Sequence, residues 1–380
     1  MLLQLSSDQE FFRETTAKFL SDQAPVDALR RLRDEPAGYD ADFWRRGAEL
    51  GWTSLLVSEE HGGGSISGSG IVDLAIVAHE FGAHAAPGPL IASNVAAAAL
   101  DATGGHPEVL AGLLDGTAVA TWCIDEPGRR LLDVDLAIRV DGDSLVISGV
   151  KRPVEAAGQA SHLLVTGRTG DGLTQVLVPA ETSGVTVTPM NSVDLTRRFG
   201  AVSFDDVRVP LDAAVGEVGA ARPQVEHQFH LALALANAES VGAMQTAFDL
   251  TVQWGFDRYS FGRPLASYQA LKHRYADMKS WLEGGHAIAD EGAEALAGGD
   301  ARASMILSAG KAFIGEYGGE LMHDCVQLHG GLGVTYEHDI HLYLRRQTVN
   351  RCLYGTPSEH KQRLADLAEQ QEEARGKADS

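Results

Sequence analysis

The sequence predicts a mostly α-helical α+β protein, with a β domain placed between two helical regions. Three observations lead to this fold class. Apolar residues recur at helical spacing over residues 1–117, alternate at strand spacing over 118–222, and return to helical spacing over 223–380. We therefore expect an N-terminal helical domain over 1–117, a middle antiparallel β-sandwich or barrel over 118–222, and a C-terminal four-helix bundle over 223–380.

The N-terminal region has the pattern of several helices. Ser7 and Glu10 have the spacing of a capping box, which predicts a helix from there to about Ser21. Apolar spacing predicts three further helices, over 42–50, 71–84 and 91–100. The glycine-rich segment 62–70 follows no predicted strand, so we expect a connecting loop there rather than a phosphate-binding one.

The middle region consists of short segments rich in Val and Leu that alternate between apolar and polar residues. Turn sequences such as Asp141-Gly142-Asp143 separate them. The predicted strands cover residues 118–124, 136–140, 144–148, 162–166, 175–178, 185–189 and 201–209. Such a series of short strands indicates an antiparallel β domain.

The C-terminal region returns to long helical patterns built from Leu, Ala and Met. The predicted helices cover 225–257, 265–297, 301–328, 339–353 and 358–375. The stretch 231–254 is largely apolar, so we expect it to be buried in an oligomer rather than exposed on a monomer.

Composition narrows the range of functions. The net charge of −21 argues against nucleic acid, which is bound by clustered Lys and Arg, and against anionic membrane surfaces. The chain has no run of about 18 apolar residues, and its N-terminus lacks a secretory signal pattern. Cys123, Cys325 and Cys352 lack the spacing of a metal site, so we expect reduced thiols in a cytoplasmic protein without bound metal.

Two motifs in the C-terminal region point to a family. The first is RYSFGRPL over 258–265, followed by Gln269, and the second is QLHGGLG over 327–333. Both resemble FAD-binding elements of the acyl-CoA dehydrogenase family, as does FDDVRVP over 204–210 at the end of the predicted β domain. The resemblance covers nearly the whole chain and implies the acyl-CoA dehydrogenase fold.

The resemblance also implies which residues contact FAD. A guanidinium can donate two parallel hydrogen bonds to a pyrophosphate, and Arg258 is the candidate for that role. Gly330 and Gly331 would let the backbone approach the cofactor without a Cβ in the way, and they would also end the preceding helix. In this family such residues reach the ADP half of a FAD held by the neighbouring subunit. The other residues implied in FAD binding are Phe261, which could equally be a core residue, Gln269, Gln327 and Thr356.

The catalytic base that the resemblance implies is missing. Dehydrogenation of an acyl-CoA needs a carboxylate that removes the α-proton while hydride passes to the flavin. Tyr354 stands where the family has the glutamate of its Tyr-Glu-Gly-Thr turn, and Ala232 stands at the alternative position on the first long C-terminal helix. We therefore predict no catalytic residue in this chain. Glu239, two turns further along the same helical face, is kept as an alternative base or as a paired buried acid.

The residues that would surround the flavin ring also differ from the family pattern. The family's Thr-Glu-Pro loop has Asp125 in place of Thr here, and bulky charged residues such as Arg129 follow it. Pro153 replaces a Trp that stacks on the ring. Glu155 replaces a hydroxyl residue, and its carboxylate would oppose a reduced, anionic flavin. We therefore expect the chain to hold no flavin ring of its own.

These selective losses resemble the non-catalytic subunit of bacterial heterotetrameric acyl-CoA dehydrogenases, as does EHDIHLYL over 337–344. The resemblance implies an α2β2 enzyme in which a homologous partner subunit carries the catalytic Glu. It also implies an acyl-CoA substrate, for example a steroid side-chain thioester, and electron-transfer flavoprotein or a similar electron acceptor.

Three questions stay open in the sequence. The chain could instead be a self-sufficient flavoprotein oxidase or monooxygenase on the same fold, or a flavin-free structural or acyl-CoA-binding subunit. His338 and His341 have a spacing that metal ligands can have, although a polar cluster at the start of a helix explains them as well.

Overall fold

The structure, a computed structural model, describes residues 4–170 and 172–378. Helices come first, one large β-sheet follows, and long helices complete the chain, which confirms the predicted mostly helical α+β class. Among the described residues, no helix is long and apolar enough to cross a lipid bilayer.

The N-terminal helices are α1 (Ser7–Gln23), α2 (Val26–Leu29), α3 (Ala41–Glu49), α4 (Gly70–Ala83), α5 (Leu90–Thr103) and α6 (Pro107–Leu114). The capping box of α1 lies one residue earlier than predicted. Ser6 Oγ accepts from the Gln9 N–H at 3.2 Å, and Gln9 Oε1 accepts from the Ser6 N–H at 3.0 Å. The prediction of Ser7 with Glu10 is wrong because Gln closes the box as well as Glu does.

The middle strands are β1 (Ala120–Cys123), β2 (Ala137–Asp141), β3 (Ser144–Glu155), β4 (His162–Thr169), β5 (Gly172–Pro179), β6 (Val185–Met190) and β7 (Phe199–Pro210). They form one sheet in the order β1-β4-β2-β3-β7-β6, and β5 pairs with β4. The pairings of β4 with β1 and β2 are parallel, whereas the others are antiparallel. The sheet is therefore mixed rather than purely antiparallel, because the β2–β3 hairpin lies between β1 and β4 in the sequence.

The C-terminal helices are α7 (Arg222–Asp257), α8 (Gln269–Ala297), α9 (Ala303–His329), α10 (Ile340–Cys352) and α11 (Pro357–Ala378). A short hairpin of β8 (Tyr259–Ser260) and β9 (Arg263–Pro264) connects α7 to α8. Because this hairpin occupies the residues before Gln269, α8 begins later than predicted. Helix α9 packs against α8, α10 and α11.

The described chain divides into two compact units, each built from more than one stretch of sequence. The first comprises Met1–Val26, Ala75–Ala86 and Leu233–Ser380, and the second comprises Asp27–Leu74 and Pro87–Ala232. The three domain ranges predicted from the sequence stay a prediction.

Candidate functional site

Arg258 lies at the surface of the first unit, where α7 ends and the β8–β9 hairpin begins. The main-chain N–H of Arg258 donates to Trp254 O at 2.9 Å, and its main-chain carbonyl accepts from the Leu265 N–H at 2.9 Å. The backbone of Arg258 is therefore fixed. The guanidinium carbon lies 5.9 Å from the Trp254 ring centroid. Within residues 4–170 and 172–378 no carboxylate pairs with Arg258, so its donors are available to an external anion.

The tip of the same hairpin presents an aromatic ring to solvent. Phe261 is 97% exposed, and its φ of +50° turns the chain sharply there. Gln269, the first residue of α8, is exposed as well. Phe261 is therefore not a core residue, and both side chains remain candidates for contact with a ligand or a partner.

The second predicted motif lies at the C-terminal end of α9. Gln327 is exposed on the last turn, and Gly330 ends the helix with φ +61° and ψ −138°, a conformation that only glycine adopts readily. A Cβ built at Gly330 or Gly331 would meet no protein atom within 4 Å. The backbone here is thus open to close approach by another molecule.

Side-chain contacts bring the two motifs together. The Trp254 ring, one turn before Arg258, stacks on His329 with centroids 5.6 Å apart. One turn into α8, Arg274 forms an ion pair with Asp324 of α9 at 2.5 Å. The hairpin, the start of α8 and the end of α9 therefore form one surface, which we call the ADP-side surface, with Arg258, Phe261, Gln269, Gln327, Gly330 and Gly331 as its predicted ligand contacts.

Thr356 does not belong to this surface. Its hydroxyl and N–H both donate to Glu359 Oε2 at 2.8 Å, so it caps the start of α11. Pro357 packs beside Gly315 of α9, which is about 18 Å along that helix from Gln327. The structure therefore places Thr356 in a structural cap, and its role in cofactor binding stays a prediction.

Both positions where the family carries a base lack a carboxylate. Tyr354 is 6% exposed and has φ +58°, and Ala232 on α7 is 0% exposed. Neither side chain can remove a proton from carbon near neutral pH, because a phenol has a reference pKa of about 10 and a methyl group does not ionise.

The turn that carries Tyr354 is held firmly from within the first unit. Lys311 Nζ is buried and donates to the carbonyls of Asn350, Arg351 and Gly355 at 2.7, 3.2 and 3.0 Å. Burial lowers the pKa of Lys311 to about 7. His360 Nε2 lies 2.9 Å from Tyr354 O, and burial lowers the pKa of His360 to about 4.

Glu239 has the contacts of a structural acid. Its Oε1 accepts from Arg346 at 2.6 Å and its Oε2 accepts from Asn350 Nδ2 at 3.1 Å. Arg346 is 0% exposed and also donates to the carbonyl of Ala86 at 2.8 Å. Both carboxylate oxygens are already occupied by donors, one of them cationic, so the contacts favour the paired buried acid over a relocated base.

In the second unit, Glu155 is paired rather than exposed to a cofactor. Arg197 Nε donates to its Oε1 at 2.7 Å, and a terminal nitrogen of Arg197 lies 2.5 Å from the same oxygen. Both side chains are almost fully buried. The sequence contained no signal for this partner, because Arg197 lies 42 residues further along the chain in a segment without a recognisable motif.

The loop that the resemblance places beside the flavin ring, residues 123–131, is tied to the sheet by an ion pair. Lys151 Nζ donates to Glu126 Oε1 at 2.6 Å, and the Lys151 side chain is 0% exposed. Glu126 also accepts from the N–H groups of Asp135 and Leu136. Arg129 lies at the surface and pairs with Asp135, which lies between the loop and β2.

His338 and His341 are engaged by their own segment. The Ile340 N–H donates to His338 Nδ1 at 3.1 Å, and His341 contacts Tyr336 O through Nε2 and Arg345 Nε through Nδ1. Among the described residues, no group of three or more His, Cys, Asp or Glu side chains has the arrangement of a metal site.

Comparisons with known proteins decide the family. Residues 6–116 match the acyl-CoA dehydrogenase N-terminal domain, and residues 223–368 match the acyl-CoA dehydrogenase C-terminal domain. The chain belongs to the acyl-CoA dehydrogenase family. Members of this family are oxidoreductases that act on a CH–CH bond of an acyl-CoA.

Curated relatives of this acyl-CoA dehydrogenase family member match it over nearly its full length. Acyl-CoA dehydrogenase IpdE2 of Mycolicibacterium smegmatis is 29% identical over 362 residues, which cover 95% of this chain and 98% of the relative. The Mycobacterium tuberculosis protein of the same name is also 29% identical, over 94% of this chain and 96% of the relative.

Solved structures of this family superpose well on the chain. A variant of the Tcur3481–Tcur3483 steroid ACAD is 27% identical with a TM-score of 0.87, over 97% of this chain and 98% of that one. Butyryl-CoA dehydrogenase from Megasphaera elsdenii is 20% identical with a TM-score of 0.88, over 97% of this chain and 100% of that one, and shows the shared fold.

The two ends of a FAD molecule fit this family member unequally. The ADP-side surface suits a pyrophosphate, because Arg258 is exposed without a carboxylate partner in the described chain and the backbone at Gly330 is open. The surroundings of Glu155, where the resemblance to the family would place the isoalloxazine ring, are filled by side chains of the described residues. A buried ion pair stands at Glu155, and the cavity beside it has a volume of about 10 Å³.

Proposed function

We propose that this chain is the base-less subunit of a heteromeric FAD-dependent acyl-CoA dehydrogenase. It completes the ADP half of a FAD whose ring, and whose catalytic glutamate, belong to a homologous partner subunit. One contrast carries the proposal. Tyr354 and Ala232 occupy the two base positions, whereas Arg258 is exposed and has no carboxylate partner in the described chain. The groups that would do chemistry are absent, whereas a group that binds an anion is present.

In this assignment the chain's own residues bind and orient the cofactor. The Arg258 guanidinium donates parallel hydrogen bonds to the pyrophosphate, and the open backbone at Gly330 and Gly331 lets the nucleotide approach. FAD, when bound, accepts a hydride from the β-carbon of the acyl group. The α-proton goes to the partner's carboxylate, since this chain has none at either position.

Apolar side chains around the ADP-side surface support a protein partner there. Phe256, Tyr259 and Phe261 of the α7 end and hairpin are 60%, 62% and 97% exposed. Val334 and Tyr336, just after the second motif, are 77% and 41% exposed. Large aromatic side chains at the surface are typical of protein interfaces. We assign this interface to the flavin-bearing partner in an α2β2 enzyme.

One solved relative supports a proposal for the substrate class. The solved Tcur3481–Tcur3483 enzyme is named as a steroid ACAD, so we extend to this chain a bulky acyl-CoA, for example a steroid side-chain thioester. The reduced flavin would pass its electrons to electron-transfer flavoprotein or a similar acceptor.

Co-expression tests the assignment directly. With a family member that carries the catalytic glutamate, we expect a yellow complex that contains about one FAD per heterodimer. Arg258→Ala should raise the Kd of the complex for FAD at least about ten-fold and so lower its FAD content, because a charge-assisted hydrogen bond contributes roughly 1.5–3 kcal/mol. Arg263→Ala is the matched control, since Arg263 lies in the same hairpin but stacks on the Tyr268 ring at 3.8 Å.

Two outcomes would contradict the proposal. If the isolated chain forms a fully flavinylated, active homotetramer, it is a self-sufficient flavoprotein. If Arg258→Ala leaves the FAD content of the complex unchanged, the chain is a structural or acyl-CoA-binding subunit that does not touch the cofactor.

A further inference from the structure

The second compact unit, which we call the sheet unit because it contains the β-sheet, has an ion pair whose two side chains are both buried. The Glu155 and Arg197 side chains are 5% and 3% exposed, and two nitrogens of Arg197 lie 2.7 and 2.5 Å from one Glu155 oxygen. A guanidinium that directs two donors at a carboxylate is held in one orientation. The pair is therefore a rigid part of the interior.

The main chain around this pair is held by hydrogen bonds to neighbouring segments. Thr121 Oγ1 donates to Glu155 O at 2.6 Å, which ties the end of β3 to β1. The Ala156 N–H donates to Arg198 O at 2.8 Å, which ties the same end to the segment before β7. The backbone that carries Glu155 is therefore held both by β1 and by the segment before β7.

The space beside the pair is too small for an aromatic ring system. The cavity lined by Glu155, Gln159, Thr196 and Arg197 has a volume of about 10 Å³. That is room for about one water molecule, whereas ligand pockets have volumes of roughly 300–1,000 Å³. This cavity could therefore admit a planar ring only if the pair moved.

We propose that the Glu155–Arg197 pair is an internal plug, which occupies the space around these two residues in the sheet unit and so excludes an isoalloxazine ring. The inference rests on the proposed function, because the resemblance to the family supplies the position of the ring. Apolar residues of similar volume usually fill a core as stably as a buried ion pair does. An ion pair adds a bond that a ring would have to break: the carboxylate and guanidinium fill the space together, and a ring could enter only by separating them.

Lumiflavin, which has the ring but no ADP, separates this inference from the proposed function. We expect the isolated wild-type chain to leave lumiflavin fluorescence unchanged in titrations to the solubility limit. Saturable quenching by the wild-type chain would overturn the plug. It would leave untouched the assignment of Arg258, which is tested by FAD content of the complex. The wild-type measurement does not depend on how any variant folds.

A pair of double variants tests whether these two residues form the plug. Glu155→Thr/Arg197→Ala removes the charges and opens the space, whereas Glu155→Leu/Arg197→Met removes the charges and refills it. Among variants that show a cooperative thermal transition, we expect the opened one to bind lumiflavin at least about ten-fold more tightly than the refilled one. Equal affinities in the two double variants would show that the pair is not the closure and would overturn the inference.

Discussion

Two arginines of this chain show how the same side chain takes different roles in two regions. Arg197 in the sheet unit is 4% exposed and directs its donors at Glu155. Arg258 in the first compact unit is exposed and has no carboxylate partner in the part of the chain that the structure describes. A guanidinium whose donors are used inside the protein stabilises the fold, whereas one whose donors face solvent can bind an external anion. The comparison separates a closed region from an open one.

The largest effect should come from breaking the closed region on one side. Arg197→Ala leaves the Glu155 carboxylate buried without its cation, so we expect the free energy of unfolding to fall by about 3–5 kcal/mol. Arg258→Ala is the counterpart in the open region and should change it by no more than about 0.5 kcal/mol. Thermal or denaturant unfolding of both variants measures the difference. Similar losses in the two would remove the distinction between the regions.

A new carboxylate at the base position should destabilise the protein without restoring catalysis. Tyr354→Glu buries a charge in a site that is 6% exposed, so we expect the free energy of unfolding to fall by roughly 3 kcal/mol. We also expect no acyl-CoA dehydrogenation by the isolated variant. Tyr354→Phe, which adds no charge, is the control. Turnover by isolated Tyr354→Glu would show that the sheet region accepts a flavin after all.

The geometry of Arg258 can be tested without removing its charge. Arg258→Lys keeps the cation but cannot donate two parallel hydrogen bonds. We expect the heteromeric complex to bind FAD more weakly with Lys than with Arg, yet more tightly than with Ala. Equilibrium titration of the apo-complex with FAD gives this order. Equal affinity with Lys and Arg would indicate simple charge attraction rather than bidentate recognition.

A further effect concerns the pH dependence of stability and the turn at Tyr354. Burial lowers the pKa of His360 from 6.5 to about 4, so the unfolded chain binds more protons than the folded one between these values. Stability should therefore fall as the pH drops from 6.5 to 4. His360→Gln keeps a donor for Tyr354 O but does not titrate, so its melting temperature should fall less over that range. An identical pH profile in the two proteins would contradict this cause.

Local sequence patterns predicted most of the fold. The long C-terminal helices and the series of short strands were found because their periodicity extends over many residues. Two details of the prediction were wrong. Ser6 with Gln9 caps α1 in place of Ser7 with Glu10, because both pairs have the spacing of a capping box. The parallel pairing of β1 with β4 was missed, because it depends on the hairpin that lies between them in the sequence.

In the candidate site, too, some residues could be predicted from the sequence and others could not. Gly330 and Gln327 lie in a recognisable motif, and their exposure agrees with a binding surface. Phe261 could not be placed from sequence, because a single aromatic residue beside a glycine suits a core as well as a turn. Thr356 follows the pattern of a cofactor contact and of a helix cap, and the structure shows the cap.

The sequence by itself determined the family, the fold class and the lack of a carboxylate at Tyr354 and Ala232, because these depend on residue type and order along the chain. Only the tertiary structure decided that Glu155 is neutralised by Arg197 and that Arg258 faces solvent. Burial and pairing depend on which distant segments pack against a residue, and at a sequence separation of 42 positions the chain contains no local signal that Glu155 and Arg197 are in contact. The guanidinium of Arg197 is therefore used inside the fold, whereas that of Arg258 faces solvent.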